Sequence, residues 1–171
     1  GCDGFFWLAG QGGYGIMTSP AISLMAAPAS ADTKVRLGSL QSAPVTTETA
    51  ISYHYWQFGG TKRTGVTRYG QPYDIAGVYS SGKYGKYSST KLMVYLHATD
   101  TRADGLAAGI ELKVPGKAPI IFAPSPGYKT VDVHGTVPSR YIYIREVLGH
   151  RNTSTHTFTV TKAGSYKKFS A

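Results

Sequence analysis

The alternation of apolar and polar residues in short segments constrains the fold of this chain more than any other feature of its sequence. In residues 91–99, for example, the side chains of Leu92, Val94 and Leu96 would share one face. A period of two residues, bounded by Gly, Pro and Ser, is typical of β-strands. After residue 32 no segment repeats its apolar residues at the helical spacing, so we predict an all-β domain there.

The same pattern, in stronger and weaker forms, predicts nine short strands. They cover residues 34–40, 49–58, 73–79, 91–99, 108–114, 118–122, 128–133, 139–147 and 155–162. Strands of this length and spacing favour an antiparallel β-sandwich or barrel of about nine strands.

Charge divides the chain into two parts. Residues 1–31 hold one acidic residue, Asp3, and no Lys or Arg, and they form a short apolar leader rich in glycine. Residues 32–171 hold all 18 Lys and Arg against 8 Asp and Glu, a net charge of +10 with His neutral. We therefore predict a leader over residues 1–31 and a basic all-β domain over residues 32–171. Such a charge excess favours polyanionic partners, including nucleic acid, anionic cell-wall polymers and acidic glycans.

The end of the leader has the pattern of a secretory signal. Ala29 and Ala31 place small side chains at the two positions that signal peptidase requires, which predicts cleavage before Asp32. We expect a secreted or cell-surface protein. No apolar run approaches the roughly 20 residues that cross a bilayer, so we expect no membrane span. Cys2 is the one cysteine, so no intrachain disulfide can form.

A stretch rich in Tyr and Lys, which includes the sequence GKYGKYSS, is the predicted binding site. Aromatic faces stack on sugars or bases, while Lys neutralises carboxylates or phosphates. The predicted binding residues are Tyr69, Tyr73, Tyr79, Lys83, Tyr84, Lys86, Tyr87 and Lys91. The alternative interpretation is a Gly/Ser-rich hairpin whose Tyr rings cover the edge of the core.

Other site chemistry has little support in the sequence. The five histidines lack the spacing to each other and to carboxylates that zinc sites show, so we predict no metal site. The chain has no G-x-S-x-G motif, and we predict no catalytic residue in residues 32–171.

Within the leader, the apolar segment GFFWLAGQGGYGI at residues 4–16 runs into a glycine-rich bend and is followed by TSPA at residues 18–21. Residues 1–27 resemble the C-terminal flavin-contacting segment of FAD-dependent oxidoreductases of the D-amino-acid oxidase and glycine oxidase type. The resemblance implies a strand, a bend and a helix N-terminus that points at the flavin ring. By the same resemblance Gly12, Gly13 and Tyr14 would lie nearest the flavin.

That family also needs a dinucleotide-binding unit with G-x-G-x-x-G after a strand, which this sequence does not contain. We therefore expect no cofactor for the chain alone. The leader could be the tail of a flavin enzyme fused to another domain, part of a chimeric reading frame, or a fortuitous apolar segment. The function we expect is an exported, noncatalytic binding module for an anionic or carbohydrate surface. The alternative is a fragment or fusion of an FAD-dependent amine or amino-acid oxidoreductase, for which FAD would be the cofactor.

Overall fold

A computed structural model describes residues 33–44, 50–71 and 74–171 of the chain. Within these ranges the secondary structure consists of strands and turns, which confirms the all-β prediction. The eleven strands are β1 (Thr33–Leu37), β2 (Tyr53–Phe58), β3 (Val66–Gly70), β4 (Val78–Ser88), β5 (Lys91–Asp100), β6 (Ala107–Lys113), β7 (Ile120–Phe122), β8 (Thr130–Val137), β9 (Tyr141–Asn152), β10 (Thr157–Ala163) and β11 (Lys167–Ser170).

Five strands form an open sheet in the order β3-β2-β4-β5-β8. Its pairs are antiparallel except for β2 and β3, which run parallel at one edge. The long β4–β5 hairpin lies at the centre and pairs from Val78 opposite Asp100 to Ser88 opposite Lys91. At the other edge, Gln41 forms a single antiparallel bridge with Thr136 of β8.

The other six strands form a sheet in the order β10-β1-β7-β6-β9-β11, and β10 also pairs with β9. This extra pairing closes β9, β10, β1, β7 and β6 into a ring, so the second sheet is a small barrel. Strand β1 enters the ring between β10, to which it is antiparallel, and β7, to which it is parallel. Strand β11 pairs with the first part of β9 and extends the wall of the barrel.

Two apolar cores follow from this arrangement. The larger core lies between the open sheet and the barrel wall, where Trp56, Leu92 and Val94 of the sheet meet Ile142 and Phe169 of the barrel strands. The smaller core fills the ring of the barrel and contains Val35, Ile121, Val147, Phe158 and Val160. Both faces of β9 are therefore buried, because it contributes alternately to the two cores.

An ion pair occupies one end of the barrel interior. Glu111 and Arg145 lie opposite each other on β6 and β9, with 2.9 Å between Arg145 Nε and Glu111 Oε1. The Tyr166 hydroxyl donates a hydrogen bond of 2.5 Å to the other carboxylate oxygen, and its ring packs against the guanidinium. Burial, together with this bond to Glu111, raises the pKa of Tyr166. Each charged group thus has a partner, as buried charges require.

The predicted strands agree with the structure in most of the chain. Eight of the nine predicted segments lie for most of their own length within an observed strand, but the segment at residues 73–79 is wrong. The described residues 74–77 form bends and turns, and Gly77 has a φ of +102°, so β4 begins only at Val78. Strands β3 and β11 and most of β4 were not predicted. The leader at residues 1–31 and its flavin-like residues lie outside the described part of the chain.

Candidate functional site

The register of the open sheet aligns four side chains across the face that points away from the barrel. Tyr55 of β2 lies opposite Lys83 of β4, Lys83 lies opposite Tyr95 of β5, and Tyr95 lies opposite His134 of β8. Neighbouring residues such as Trp56 point the other way, into the core. We call the four aligned residues, together with Tyr53 of β2, the Lys83 platform.

The rings of the platform surround the Lys83 ammonium. Its Nζ atom lies 4.4 Å from the ring centroids of Tyr53 and Tyr95 and 5.6 Å from that of Tyr55. The Tyr53 and Tyr95 rings meet edge to face at 5.8 Å, and the Tyr95 ring stacks on His134 at 5.1 Å. The negative faces of the Tyr rings attract the ammonium.

A second cation reaches the same face from the β2–β3 connection. Gln57 is buried, and its side-chain amide donates hydrogen bonds of 2.9 Å to the carbonyls of Gly59 and Thr61. Its carbonyl oxygen accepts a bond from the backbone N–H of Arg63. These three bonds hold the connection over the sheet, and Arg63 Nη2 donates to the Tyr79 hydroxyl at 3.0 Å.

Arg63 and Lys83 line one depression of about 360 Å³ on the outer face of the sheet. Tyr55, Val66 and Tyr95 supply its aromatic and apolar walls. Among the residues that the structure describes, no carboxylate lies within ion-pairing distance of either cation. The depression therefore combines ring faces with two positive charges, neither of which is paired with a carboxylate of the described residues.

The next row of the sheet differs in character. His97 of β5 lies opposite Asp132 of β8, and the two side chains are 2.6 Å apart at Nδ1 and Oδ1. The Thr99 hydroxyl contacts the other ring nitrogen of His97 at 3.0 Å. The Asp132 carboxylate is thus already paired with a histidine and lies one row away from Lys83.

The structure brings only some of the predicted binding residues together. Lys83 and Tyr79 lie on the outer face of β4, and Tyr69 lies on edge strand β3 and donates from its hydroxyl to the Gly60 carbonyl. Tyr73 falls outside the described residues.

The remaining predicted residues lie elsewhere. Tyr84 points into the interior, where its ring stacks on Phe169 at 4.9 Å, and burial raises its pKa. Lys86 is paired with the core residue Leu92 and therefore lies on the same face of β4 as Tyr84. Tyr87 and Lys91 lie where β4 turns into β5. Tyr84 thus fits the alternative interpretation, in which Tyr rings cover the edge of the core.

Sequence reasoning missed most of the platform. Tyr53 and Tyr55 were assigned to a strand but not to a site, Tyr95 was treated as a strand residue, and His134 and Arg63 had no role. The alternation of Tyr53 and Tyr55 with Trp56 was the one available signal, because it predicts two aromatic faces on one strand.

Other classes of site find no support in the described ranges. No three His, Cys, Asp or Glu residues there are arranged to hold a metal ion. In the same ranges no helix has the length and apolar character needed to cross a membrane. Gly12, Gly13 and Tyr14 precede the described residues, and the flavin resemblance stays a prediction. In comparisons with known proteins, no protein-family model, no curated protein and no solved structure matches the chain.

Proposed function

We propose that this chain is an exported, noncatalytic binding module for an anionic or carbohydrate surface, and that the Lys83 platform is its binding site. The observation that carries the proposal is the alignment of Tyr55, Lys83, Tyr95 and His134 in one row across an outward-facing sheet surface. Aromatic rings at this density normally lie in a core, and an exposed cluster of them is a candidate contact surface.

The chemistry of the platform favours an acidic saccharide. The apolar C–H face of a sugar ring packs against an aromatic ring, and Tyr55 keeps 45% of its surface exposed for such a contact. A carboxylate or sulfate on the sugar would reach the Lys83 ammonium and the Arg63 guanidinium, which line the same depression. The depression falls at the lower end of small-ligand site volumes, which suits one or two sugar units of a longer chain.

The net charge of the domain supports the same class of partner. An excess of positive charge attracts a polyanion from a distance, while the platform supplies the short-range contacts. The two contributions are separable, since long-range attraction weakens with salt and ring stacking does not.

The test is retention on an immobilised uronic-acid polysaccharide, with neutral dextran and single-stranded DNA as comparison matrices. We expect salt-dependent retention of the wild-type chain and an affinity lower by about tenfold or more in Lys83→Met. A hydrogen bond to a charged group contributes about 1.5–3 kcal/mol, and about 1.4 kcal/mol is tenfold in affinity. Tyr55→Leu should weaken retention at high salt as well.

Two lysines provide matched controls. Lys86 lies on the same strand but on its opposite face, and Lys34 is exposed on the barrel. Lys86→Met and Lys34→Met remove the same charge and should change retention only slightly. Equal losses in all three variants would refute the platform and leave net charge as the explanation. Stronger retention on DNA than on the polysaccharide would make nucleic acid the partner.

The alternative function, a fragment or fusion of an FAD-dependent oxidoreductase, rests on the resemblance of residues 1–27 alone. Purified full-length chain that shows visible flavin absorbance would support it. Colourless protein that gains no absorbance after incubation with FAD and gel filtration would count against it.

A further inference from the structure

Four polar side chains meet in the interior between the open sheet and the barrel, away from the Lys83 platform. Asp74 lies in the β3–β4 connection, and Ser80 lies on the inner face of β4. Glu146 lies on the inner face of β9, and Lys167 begins β11 near the end of the chain. The cluster therefore joins the β3–β4 connection and β4 to β9 and β11, which come much later in the sequence.

Lys167 and Asp74 are in direct contact. The Lys167 Nζ atom lies 2.6 Å from Asp74 Oδ1, and the two side chains are only 17% and 15% exposed. Nζ also lies 4.8 Å from the centroid of the Phe58 ring and donates to the Ser165 carbonyl at 3.1 Å. The other carboxylate oxygen, Asp74 Oδ2, is buried and accepts no hydrogen bond from the described residues.

Glycine at position 164 closes the site on the side of that unpartnered oxygen. A Cβ atom on Gly164 would lie 1.9 Å from Asp74 Oδ2, so the backbone packs directly against the carboxyl group. The Asp74 carboxyl group thus lies between the Gly164 backbone on one side and the Lys167 ammonium on the other.

A second carboxyl group, that of Glu146, lies close enough to this pair for both charges to act on it. It is 2% exposed, accepts a hydrogen bond from the Ser80 hydroxyl and accepts another of 3.2 Å from the Ile75 backbone N–H. Burial raises the pKa of Glu146 to about 7, and the charges of Asp74 and Lys167 act on it in opposite directions. Near neutral pH this carboxyl group is present in both its protonated and ionised forms, as a proton donor and acceptor must be.

We propose that Lys167 and Asp74 condense into an intramolecular amide bond, with Glu146 as the proton-transfer group. The proposal is independent of the ligand of the Lys83 platform. An ordinary ion pair needs no third carboxyl group near it, and burying two charges costs free energy that a neutral amide does not.

The reaction balances without any further reactant. The reaction starts from the neutral amine and carboxylic acid that form when the ammonium proton moves to Asp74 across the 2.6 Å contact. The Nζ lone pair then forms a bond to Asp74 Cγ, and the carbonyl oxygen takes the proton of Glu146. The Glu146 carboxylate removes a proton from nitrogen and returns it to one hydroxyl group of the tetrahedral intermediate. The C–O bond breaks, one water molecule leaves, the remaining hydroxyl proton returns to Glu146, and Lys167 and Asp74 remain joined by an amide.

The first test is the intact mass of the denatured wild-type chain. We expect it to fall short of the mass calculated for the same chain by one water molecule. Tryptic digestion should give a single branched peptide that contains both Asp74 and Lys167, with no cleavage after Lys167. A full intact mass, with the two peptides recovered separately, would overturn the proposal. This measurement needs no variant and does not depend on whether a variant folds.

Variants then identify the side chains that take part in the reaction. Lys167→Arg preserves the positive charge but removes the amine nucleophile and should show the full mass, whereas Lys168→Arg, on the exposed neighbour, should keep the deficit. Asp74→Asn should form the same amide with loss of ammonia instead of water. Glu146→Gln should show mainly the full mass when freshly purified, and complete cross-linking in it would overturn the role of Glu146. A water loss that maps to Asp104 and Gly105, as a cyclic imide, would also overturn the proposal.

Discussion

The buried carboxyl group of Glu146 makes stability depend on pH in a direction opposite to that of most acidic residues. Its pKa is about 7 in the folded chain and 4.5 as the reference value for the unfolded chain, and burial is the main cause. Between these two values the folded state binds more protons than the unfolded state. The free energy of unfolding therefore falls as pH rises through this window and levels off above pH 7.

The magnitude follows from the size of the shift. One pKa unit corresponds to about 1.4 kcal/mol, so the full change is about 3 kcal/mol, of which about 2–3 kcal/mol lies between about pH 5 and about pH 8. Glu146→Gln keeps the shape of the side chain but cannot ionise, and it should remove this contribution. A difference in cross-linking between the two chains adds the same free energy at both pH values and cancels when the two pH values are compared.

The assay is urea unfolding followed by circular dichroism at both pH values, for the wild type and for Glu146→Gln. We expect the free energy of unfolding of the wild type, relative to that of Glu146→Gln, to be about 2–3 kcal/mol lower at the higher pH than at the lower pH. Parallel pH dependence in the two chains, or a difference that moves in favour of the wild type, would refute the assignment of a raised pKa to a buried Glu146.

Three further changes test the barrel, each by urea or thermal unfolding. Arg145→Met should lower the free energy of unfolding by about 3–5 kcal/mol because the buried Glu111 carboxylate loses its cation, and adding Glu111→Leu should recover most of that loss. A loss below about 1 kcal/mol would contradict the buried pair. Phe158→Ala should cost about 3–5 kcal/mol through the cavity left in the ring. Gly149→Ala places a Cβ 1.9 Å from a backbone oxygen of β10, so it should lower the free energy of unfolding by more than the control Gly116→Ala. The control should lose about 1 kcal/mol through its positive φ alone. An equal or smaller loss in Gly149→Ala would show that β9 and β10 do not pack this closely.

The strands that could be predicted from the sequence are those that bury apolar residues at every second position. Strand β5 is the clearest case, since Leu92, Val94 and Leu96 all lie in the core between the sheets. Strand β4 was largely missed because its inner face carries Ser80, Gly82 and Tyr84. At Gly82 the reason is local packing, because a Cβ there would collide with the Tyr95 carbonyl oxygen and lie 2.8 Å from the Trp56 ring. Close neighbours on β5 and β2 thus exclude an apolar side chain at this position of β4.

Strand β11 was missed for a different reason. It has four residues and a single buried apolar side chain, Phe169, which gives no period to recognise.

The candidate site could not be predicted from the sequence because it depends on long-range register. Tyr55, Lys83, Tyr95 and His134 come from four strands, and a slip of one residue in any pairing would turn a side chain to the other face. Sequence proximity instead grouped Lys83 with Tyr84 and Lys86, which lie on the opposite face of β4.

The position of β1 has a consequence for how the chain reaches its folded state. Thr33 pairs with Val160, so the first strand of the described domain cannot complete the ring until nearly the last strand has been synthesised. Pairings between such distant segments require a large loss of chain entropy before any contact is gained, and they slow folding to the range of milliseconds to seconds. During that interval the edges of β7 and β10 have no partner between them. The ring that removes these edges from the native state therefore leaves them prone to aggregation in a nascent chain until β10 has been synthesised.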